Sequence, residues 1–140
     1  MAFRIGTSNS KCKKVGGNQK ICVLIVDDDR ATRRIHSALL NKFGVETQVA
    51  ENGKEAVDLY RSGASFDLVI MDMEMPVMDG PTATQELRRM GVNSMIVGVT
   101  SRGQDSEKQA FMRAGLDDCH VKPLNSNTIA SLLQQVNKNH

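Results

Sequence analysis

Carboxylate side chains follow two apolar runs of the sequence at the point where each run ends. The run KICVLIV is followed by Asp27, Asp28 and Asp29, and the run FDLVIM by Asp72, with Glu74 two residues further on. Each aspartate alone has a structural explanation, because an acid between a strand and a helix commonly caps the helix. Several carboxylates that converge repel one another unless a cation or a proton intervenes, and an all-oxygen group suits Mg²⁺. The pattern therefore predicts a magnesium site if the two runs lie side by side.

A hydroxyl group and a base follow two further apolar runs. Thr100 ends the run SMIVGVT, and Lys122 follows CHV. Alone, the first is an ordinary strand-end hydroxyl and the second a solvated base. Together with a carboxylate nucleophile and a metal, they are the parts needed to move a phosphoryl group onto and off an aspartate. The sequence contains neither a G-x-x-x-x-G-K-[ST] loop nor a G-x-G-x-x-G loop after the first run, so a nucleotide is not the predicted ligand.

Strand and helix patterns alternate five times along the chain and must position these residues. The predicted strands cover residues 20–26, 45–50, 66–71, 94–100 and 119–121. In the helix after the first strand, Ile35, Leu39 and Phe43 are spaced four apart and are predicted to face the core. The alternation predicts an α/β fold, a flavodoxin-like doubly wound five-stranded parallel sheet in the order 2-1-3-4-5 with five helices. That order makes strands one and three neighbours at the switch point where ligands bind.

Composition divides the chain into a basic end and an acidic body. Residues 1–20 carry five bases and no acid, which leaves 13 bases against 16 acids in the rest. We predict a flexible basic tail over 1–19 and one domain over 20–140. Neither the three cysteines, Cys12, Cys22 and Cys119, nor the three histidines have metal-ligand or disulfide-scaffold spacing. With no membrane span or secretory leader in the pattern, we expect a monomer without a nucleic-acid or membrane partner, located in the cytoplasm and with the nucleus as a second location.

Four motifs resemble the receiver domain of two-component response regulators from Lys20 to the end of the sequence. These are LIVDDD, VIMDMEMPVMDG, VGVTS and HVKPL. The resemblance implies that Asp72 accepts the phosphoryl group. It also implies that Mg²⁺ is held by Asp27, Asp28, Asp72 and the backbone carbonyl of Glu74.

The same resemblance assigns the remaining parts of the site. Thr100 is similar to the hydroxyl that follows the phosphoryl group, and Lys122 to the cation paired with it, in a cis peptide with Pro123. Asp29 is then the helix N-cap. Glu74 and Arg102 stand at positions that influence the lifetime of the acyl phosphate in this family.

One position departs from the family pattern. Three residues before Lys122, where receivers usually carry an aromatic that moves with the threonine, this chain has Cys119. A small thiol cannot signal by burying and exposing a ring, so the resemblance does not extend to that switch. The pattern looks most like the plant type-C, stand-alone response regulators. We take Cys119 as a small buried hydrophobe.

That likeness implies a phosphorelay protein of plant cytokinin signalling. Such a protein takes phosphate from a histidine-containing phosphotransfer protein or histidine kinase onto Asp72 and loses it to water. It acts as a phosphate sink with Mg²⁺-dependent self-phosphorylation and autodephosphorylation, and so as a phosphatase toward phosphohistidine donors. Three alternatives remain open: a receiver excised from a hybrid histidine kinase, a haloacid-dehalogenase-like phosphohydrolase, and a degenerate receiver that only binds partners. The second would want D-x-D where this chain has Asp72-Met73-Glu74.

Overall fold

Five strands and five helices alternate along the chain. The computed structural model describes residues 20–101 and 105–138. The strands are β1 (Cys22–Val26), β2 (Glu46–Ala50), β3 (Leu68–Asp72), β4 (Met95–Thr100) and β5 (Asp118–Val121). The helices are α1 (Arg30–Asn41), α2 (Gly53–Arg61), α3 (Gly80–Arg89), α4 (Asp105–Arg113) and α5 (Ser126–Lys138). The predicted basic tail over 1–19 lies outside the described residues.

The strands form one parallel sheet in the order β2-β1-β3-β4-β5, so the predicted topology is confirmed. Every residue of β1 and β3 is buried, as expected for central parallel strands that helices cover on both faces. The edge strand β5 is only partly buried, and its last residue, Val121, is exposed. The central strands are therefore held by burial on both sides, whereas β5 depends on fewer contacts.

Alternate residues of the strands supply two separate cores. On one face, Leu24 and Met71 pack with residues of α2, α3 and α4. On the other face, Ile25 and Ile70 pack with Leu40 of α1 and with four residues of α5, Ile129, Leu132, Leu133 and Val136. The first face is the three-helix face and the second the two-helix face. This division follows from the period of two along a strand.

The inward face of α1 differs from the prediction. Ile35 is 50% exposed and Phe43 is 40% exposed, whereas His36 and Leu40 are fully buried. The prediction for the Ile35 and Phe43 stripe was therefore wrong. The buried residues of α1 are instead His36 and Leu40, with Leu39 partly buried against the two-helix face, and Phe43 lies beyond the last residue of the helix, Asn41.

A phenylalanine of α4 fills the three-helix face beneath β4. Phe111 is fully buried, and a Cβ on Gly98 of β4 would lie 2.6 Å from its Cε2. A Cβ on Gly80, at the start of α3, would lie 2.7 Å from its Cζ. The sheet register places Cys119 beside Gly98 on the neighbouring strand. The two glycines therefore make room for a ring that enters from α4 and not from position 119.

Candidate phosphoryl-transfer site

The carboxyl ends of β1 and β3 bring three aspartates together. Carboxylate oxygens of Asp27, Asp28 and Asp72 all lie within 4.8 Å of one another. The parallel register pairs Val26 with Met71, so the residue that follows each of them emerges on the same edge of the sheet. Asp27 and Asp72 are buried, whereas Asp28 is exposed, so the group opens to solvent on one side. Three carboxylates at this separation fit a hard divalent cation.

The ammonium group of Lys122 lies against two of these carboxylates. Its Nζ is 3.1 Å from Asp27 Oδ2 and 3.1 Å from Asp72 Oδ1. Burial lowers the pKa of Lys122, but the hydrogen bonds to Asp27 and Asp72 outweigh it and leave the pKa above its ordinary value. The ammonium therefore stays charged at neutral pH. It supplies one fixed positive charge to three carboxylates.

Asp72 is the carboxylate that this arrangement perturbs. Burial raises its pKa, the negative charge of Asp27 and more weakly that of Asp28 raise it further, and Lys122 offsets part of the effect, leaving a pKa of about 6. The side chain is therefore ionised near neutral pH but at a free-energy cost. Any cation that binds the group relieves that cost.

Thr100 ends β4 beside this group. The register pairs Asp72 with Val99, so Thr100 is the next residue toward the carboxyl edge, and it is buried. Its carbonyl oxygen accepts a hydrogen bond from the Lys122 N–H at 2.8 Å. The hydroxyl-bearing residue and the base predicted from two separate runs thus reach one edge of the sheet.

Backbone contacts fix the first acidic loop. Asp27 Oδ1 accepts from the Asp29 N–H at 2.9 Å, and the Arg33 guanidinium donates to the Asp27 carbonyl oxygen at 2.8 Å. Asp29 accepts from the Thr32 N–H as the N-cap of α1, so that prediction is confirmed. The Asp27 carboxylate is thereby held between a backbone amide on one oxygen and the ammonium of Lys122 on the other.

The loop after β3 turns sharply before α3 begins. Asp79 caps α3 by accepting from the Thr82 N–H at 2.9 Å. Val77 in this loop has a φ of 72° and is 76% exposed, a conformation that strains a β-branched residue. The side chain of Glu74 is exposed, and its carboxylate is not one of the three in the acidic group. Its predicted backbone role stays a prediction.

Two other predictions concern the loops after β4 and β5. The Lys122-Pro123 peptide is cis, as the resemblance implied. Arg102 lies outside the described residues, so its predicted contact with Glu74 stays a prediction. Cys119 is half-buried and packs against the three-helix face, where burial raises the pKa of its thiol, which favours an unreactive side chain.

Two residues around the site were missed by the sequence analysis. Arg33 reaches back six positions to the Asp27 carbonyl. The His36 imidazole accepts from the Leu124 N–H across 88 positions. A basic residue one helical turn after an acidic loop is a weak signal for the first contact. Nothing in the pattern signals the second, because its donor is a backbone amide.

The doubly wound parallel sheet in the order β2-β1-β3-β4-β5 is typical of the flavodoxin-like class of α/β proteins. Comparisons with known proteins identify the family within that class. The response regulator receiver domain model matches residues 23–134. The chain therefore belongs to the response regulator receiver family. Within the part of the chain that the structure describes, no helix is both long and apolar enough to cross a membrane.

Plant response regulators are among the relatives. The chain is 48% identical over 118 residues to two-component response regulator 24 of Arabidopsis thaliana, which covers 84% of this chain and 85% of that protein. It is 47% identical over 139 residues to two-component response regulator ARR22 of Arabidopsis thaliana, with 97% and 98% covered. The predicted likeness to plant response regulators is confirmed.

Solved receiver structures share the fold. Chemotaxis protein CheY4 of Vibrio cholerae aligns with a TM-score of 0.76 and 32% identity, covering 84% of this chain and 99% of that chain. A chain in the co-crystal structure of the Saccharomyces cerevisiae histidine phosphotransfer signaling protein Ypd1 and the receiver domain of Ssk1 aligns with a TM-score of 0.72 and 27% identity. It covers 84% of this chain and 86% of that chain.

Proposed function

We propose that the chain accepts a phosphoryl group on Asp72 from a phosphohistidine and then loses it to water, acting as a phosphate sink. The observation that carries the proposal is the ion pair of 3.1 Å between Asp72 Oδ1 and Lys122 Nζ inside a group of three carboxylates. A solvated or structural aspartate does not need two acidic neighbours, one of them buried. A nucleophile that must meet a transferring phosphoryl group does need a fixed cation beside it.

In the proposed first step, an ionised Asp72 oxygen attacks phosphorus as the bond from phosphorus to the donor's imidazole nitrogen breaks. The imidazole leaves with the bonding electron pair and takes up a proton. Lys122 neutralises charge on the transferring oxygens, and the Thr100 hydroxyl donates to one of them. Asp27 and Asp28, with Asp72 and the Glu74 carbonyl, would hold Mg²⁺, which when bound supplies further neutralisation of the same oxygens.

In the second step, water attacks phosphorus and the bond to the Asp72 oxygen breaks. Inorganic phosphate leaves, and the Asp72 carboxylate is regenerated. The exposed side of the acidic group gives water its access. We propose that Glu74 and Arg102 modulate this access by their opposite charges. Unchanged dephosphorylation rates in both Glu74→Ala and Arg102→Ala would contradict this role.

The environment of Cys119 supports a sink over a signal transmitter. The ring beneath β4 is that of Phe111, which is fully buried between Gly80 and Gly98. A Cβ on either glycine would lie within 2.7 Å of a ring atom, so the ring is closely packed against both. Position 119 of β5 therefore has no aromatic side chain whose movement could convert phosphorylation of Asp72 into a change of the protein surface.

The exposed face of α1 is the proposed docking surface for the histidine donor. A shallow depression there is lined by Arg30, Ala31, Arg34 and Ile35, next to the acidic group. The Ypd1 and Ssk1 co-crystal structure supports a histidine phosphotransfer protein as the class of partner. An apolar centre with an arginine rim suits a partner helix that carries acidic residues around its apolar contact.

A labelling experiment tests the proposal. Wild-type protein and Asp72→Asn would be mixed with Mg²⁺ and either acetyl phosphate or a ³²P-labelled histidine phosphotransfer protein. We expect a labelled, hydroxylamine-sensitive species in the wild type that is absent in Asp72→Asn, followed by release of inorganic phosphate. Labelling that persists in Asp72→Asn, or a wild type that is never labelled, contradicts the proposal.

A matched pair of variants tests the docking surface. Ile35→Asp places a charge in the proposed contact, whereas Phe43→Asp places one on a residue of similar exposure beyond the end of α1. We expect Ile35→Asp to slow transfer from the phosphorylated protein about tenfold or more, while labelling by acetyl phosphate is unchanged. Equal slowing by both variants would contradict this surface.

A further inference from the structure

A fully buried histidine links α1 to the segment that carries Lys122. His36 has no exposed surface, and its Nε2 accepts a hydrogen bond from the Leu124 N–H at 3.2 Å. Leu124 is two residues after Lys122 and directly follows the cis peptide. Because the backbone amide can only donate, Nε2 must be the unprotonated nitrogen and Nδ1 must carry the proton.

This histidine is costly in a way that packing does not explain. Its Nδ1 is buried and has no hydrogen-bond partner in the described part of the molecule. Burial also holds the pKa of His36 below its ordinary value, so the ring is neutral. A leucine would fill an apolar helix position without burying a polar atom that lacks a partner. The hydrogen bond that Nε2 accepts from Leu124 is therefore the feature that accounts for a histidine at this position.

The bond at Nε2 ends at the less-buried side of the site. Lys122 is on the short edge strand β5, whose residues are only partly buried. Its ammonium must nevertheless meet Asp27 Oδ2 and Asp72 Oδ1, both at 3.1 Å. The Leu124 bond fastens the chain just beyond Lys122 to the same helix whose Arg33 fastens the Asp27 carbonyl. The Asp27 loop and the segment after Lys122 are thus both hydrogen-bonded to α1.

We propose that His36 is a positioning residue for phosphoryl transfer, acting through the Leu124 amide to hold Lys122 against Asp72. The inference rests on the proposed phosphorylation of Asp72. His36 itself does not touch the transferring group. It fixes where the strand end lies, and a displacement of the ammonium by even 1 Å weakens its interaction with the transferring oxygens.

Two substitutions separate the hydrogen bond from the volume of the side chain. His36→Leu keeps an apolar side chain in the core and removes the acceptor. His36→Gln retains an oxygen that can accept from the Leu124 N–H. Leu40→Val serves as the control, because Leu40 is buried on the same face of α1 and has no part in the bond.

The readout is the initial rate of Asp72 phosphorylation by acetyl phosphate with Mg²⁺, expressed per folded molecule. A small donor keeps docking on α1 out of the measurement. We expect His36→Leu to lower this rate about tenfold, His36→Gln to restore it to within about threefold of wild type, and Leu40→Val to leave it unchanged. Amide hydrogen exchange at Leu124 should speed up in His36→Leu and not in Leu40→Val.

A double-mutant cycle with Lys122→Ala decides whether the effect passes through the ammonium. We expect His36→Leu to produce no further loss of rate when Lys122 is already alanine. Equal losses in both backgrounds, or an unchanged rate in His36→Leu, would overturn the proposal. If His36→Leu does not fold, His36→Phe, which also removes the acceptor but keeps a ring, replaces it in both backgrounds and in the Leu124 exchange measurement. Failure of wild-type labelling would instead overturn the proposed phosphorylation.

Discussion

The two halves of the site are built in different ways. The acidic half, Asp27, Asp28 and Asp72, stands on the ends of two central strands that are buried along their whole length. The basic half, Lys122, stands on an edge strand that is partly exposed. Strand register brings the acids to one edge of the sheet. The backbone of Lys122 is held by Thr100 of β4, but its ammonium group is placed by contacts with the acidic half, and the segment after it is hydrogen-bonded to α1. The sheet therefore fixes the positions of the three carboxylates, whereas tertiary contacts fix the position of the ammonium group that neutralises them.

Removal of the basic half is the strongest way to break this arrangement. We expect Lys122→Ala to reduce phosphorylation of Asp72 by about 10²–10³-fold, because one preorganised charge on the transferring oxygens is lost. Rates of labelling by acetyl phosphate with Mg²⁺ measure the effect. Lys54→Ala is the control, since Lys54 is an exposed lysine paired with Asp58 on α2. A loss below about threefold in Lys122→Ala would show that the acidic half suffices.

A substitution in β4 probes the packing between the halves. A Cβ on Gly98 would lie 2.5 Å from Leu116 Cδ1 and 2.6 Å from Phe111 Cε2. We expect Gly98→Ala to lower the free energy of unfolding by about 1–3 kcal/mol through overpacking. Urea denaturation measures it, and the added substitution Phe111→Leu should recover part of the loss. Independent, additive effects of the two substitutions would contradict the contact.

Charge repulsion in the acidic half should be visible in stability. Without Mg²⁺, we expect Asp72→Asn to raise the free energy of unfolding at pH 7.5 by on the order of 1–2 kcal/mol, after allowance for screening at the open side. Urea denaturation in EDTA provides the measurement. Asp79→Asn, on the exposed cap of α3, should change little. A destabilised Asp72→Asn would show that Lys122 already offsets the repulsion.

The difference in the free energy of unfolding between wild type and Asp72→Asn should depend on pH. The pKa of Asp72 is raised to about 6 in the folded protein from an ordinary value of 3.8. The stabilisation from its protonation is therefore full below pH 3.8 and is lost as the pH rises through about 6. The advantage of Asp72→Asn should accordingly grow between pH 4 and 7. Burial lowers the pKa of His36, which removes stability as the pH falls below about 6.5 in both proteins, so this effect cancels in the difference.

The smallest expected effect concerns the loop of the acidic half. Val77 has a φ of 72° and is 76% exposed, so its conformation strains the backbone while its side chain packs little. We expect Val77→Asn to raise the free energy of unfolding by about 1 kcal/mol or less, because asparagine tolerates the left-handed region. Thermal and urea denaturation would show it. No gain would mean that contacts of the Val77 side chain compensate for the strain.

The three acids and Lys122 could be predicted from the sequence, whereas the contact between α1 and the segment after Lys122 could not. Asp27 and Asp72 directly follow continuous apolar runs, so strand ends and their meeting point are encoded locally. The inward face of α1 was misjudged because Ile35 and Phe43 are spaced as regularly as His36 and Leu40, and hydropathy favours the first pair. The bond between His36 and Leu124 joins a side chain to an amide 88 positions away. Every residue except proline has the same backbone N–H, so the sequence does not indicate which amide donates to His36.

The single tyrosine of the chain has a practical consequence for anyone who wants to follow these reactions. The sequence contains no tryptophan, and the Tyr60 hydroxyl is bound to Ser94, just before the amino end of β4. The ring therefore lies at the edge of the sheet opposite Asp72. We expect the intrinsic ultraviolet emission to stay constant while the phosphoryl group arrives and departs, so time courses will require isotopic, chromatographic or magnetic-resonance detection.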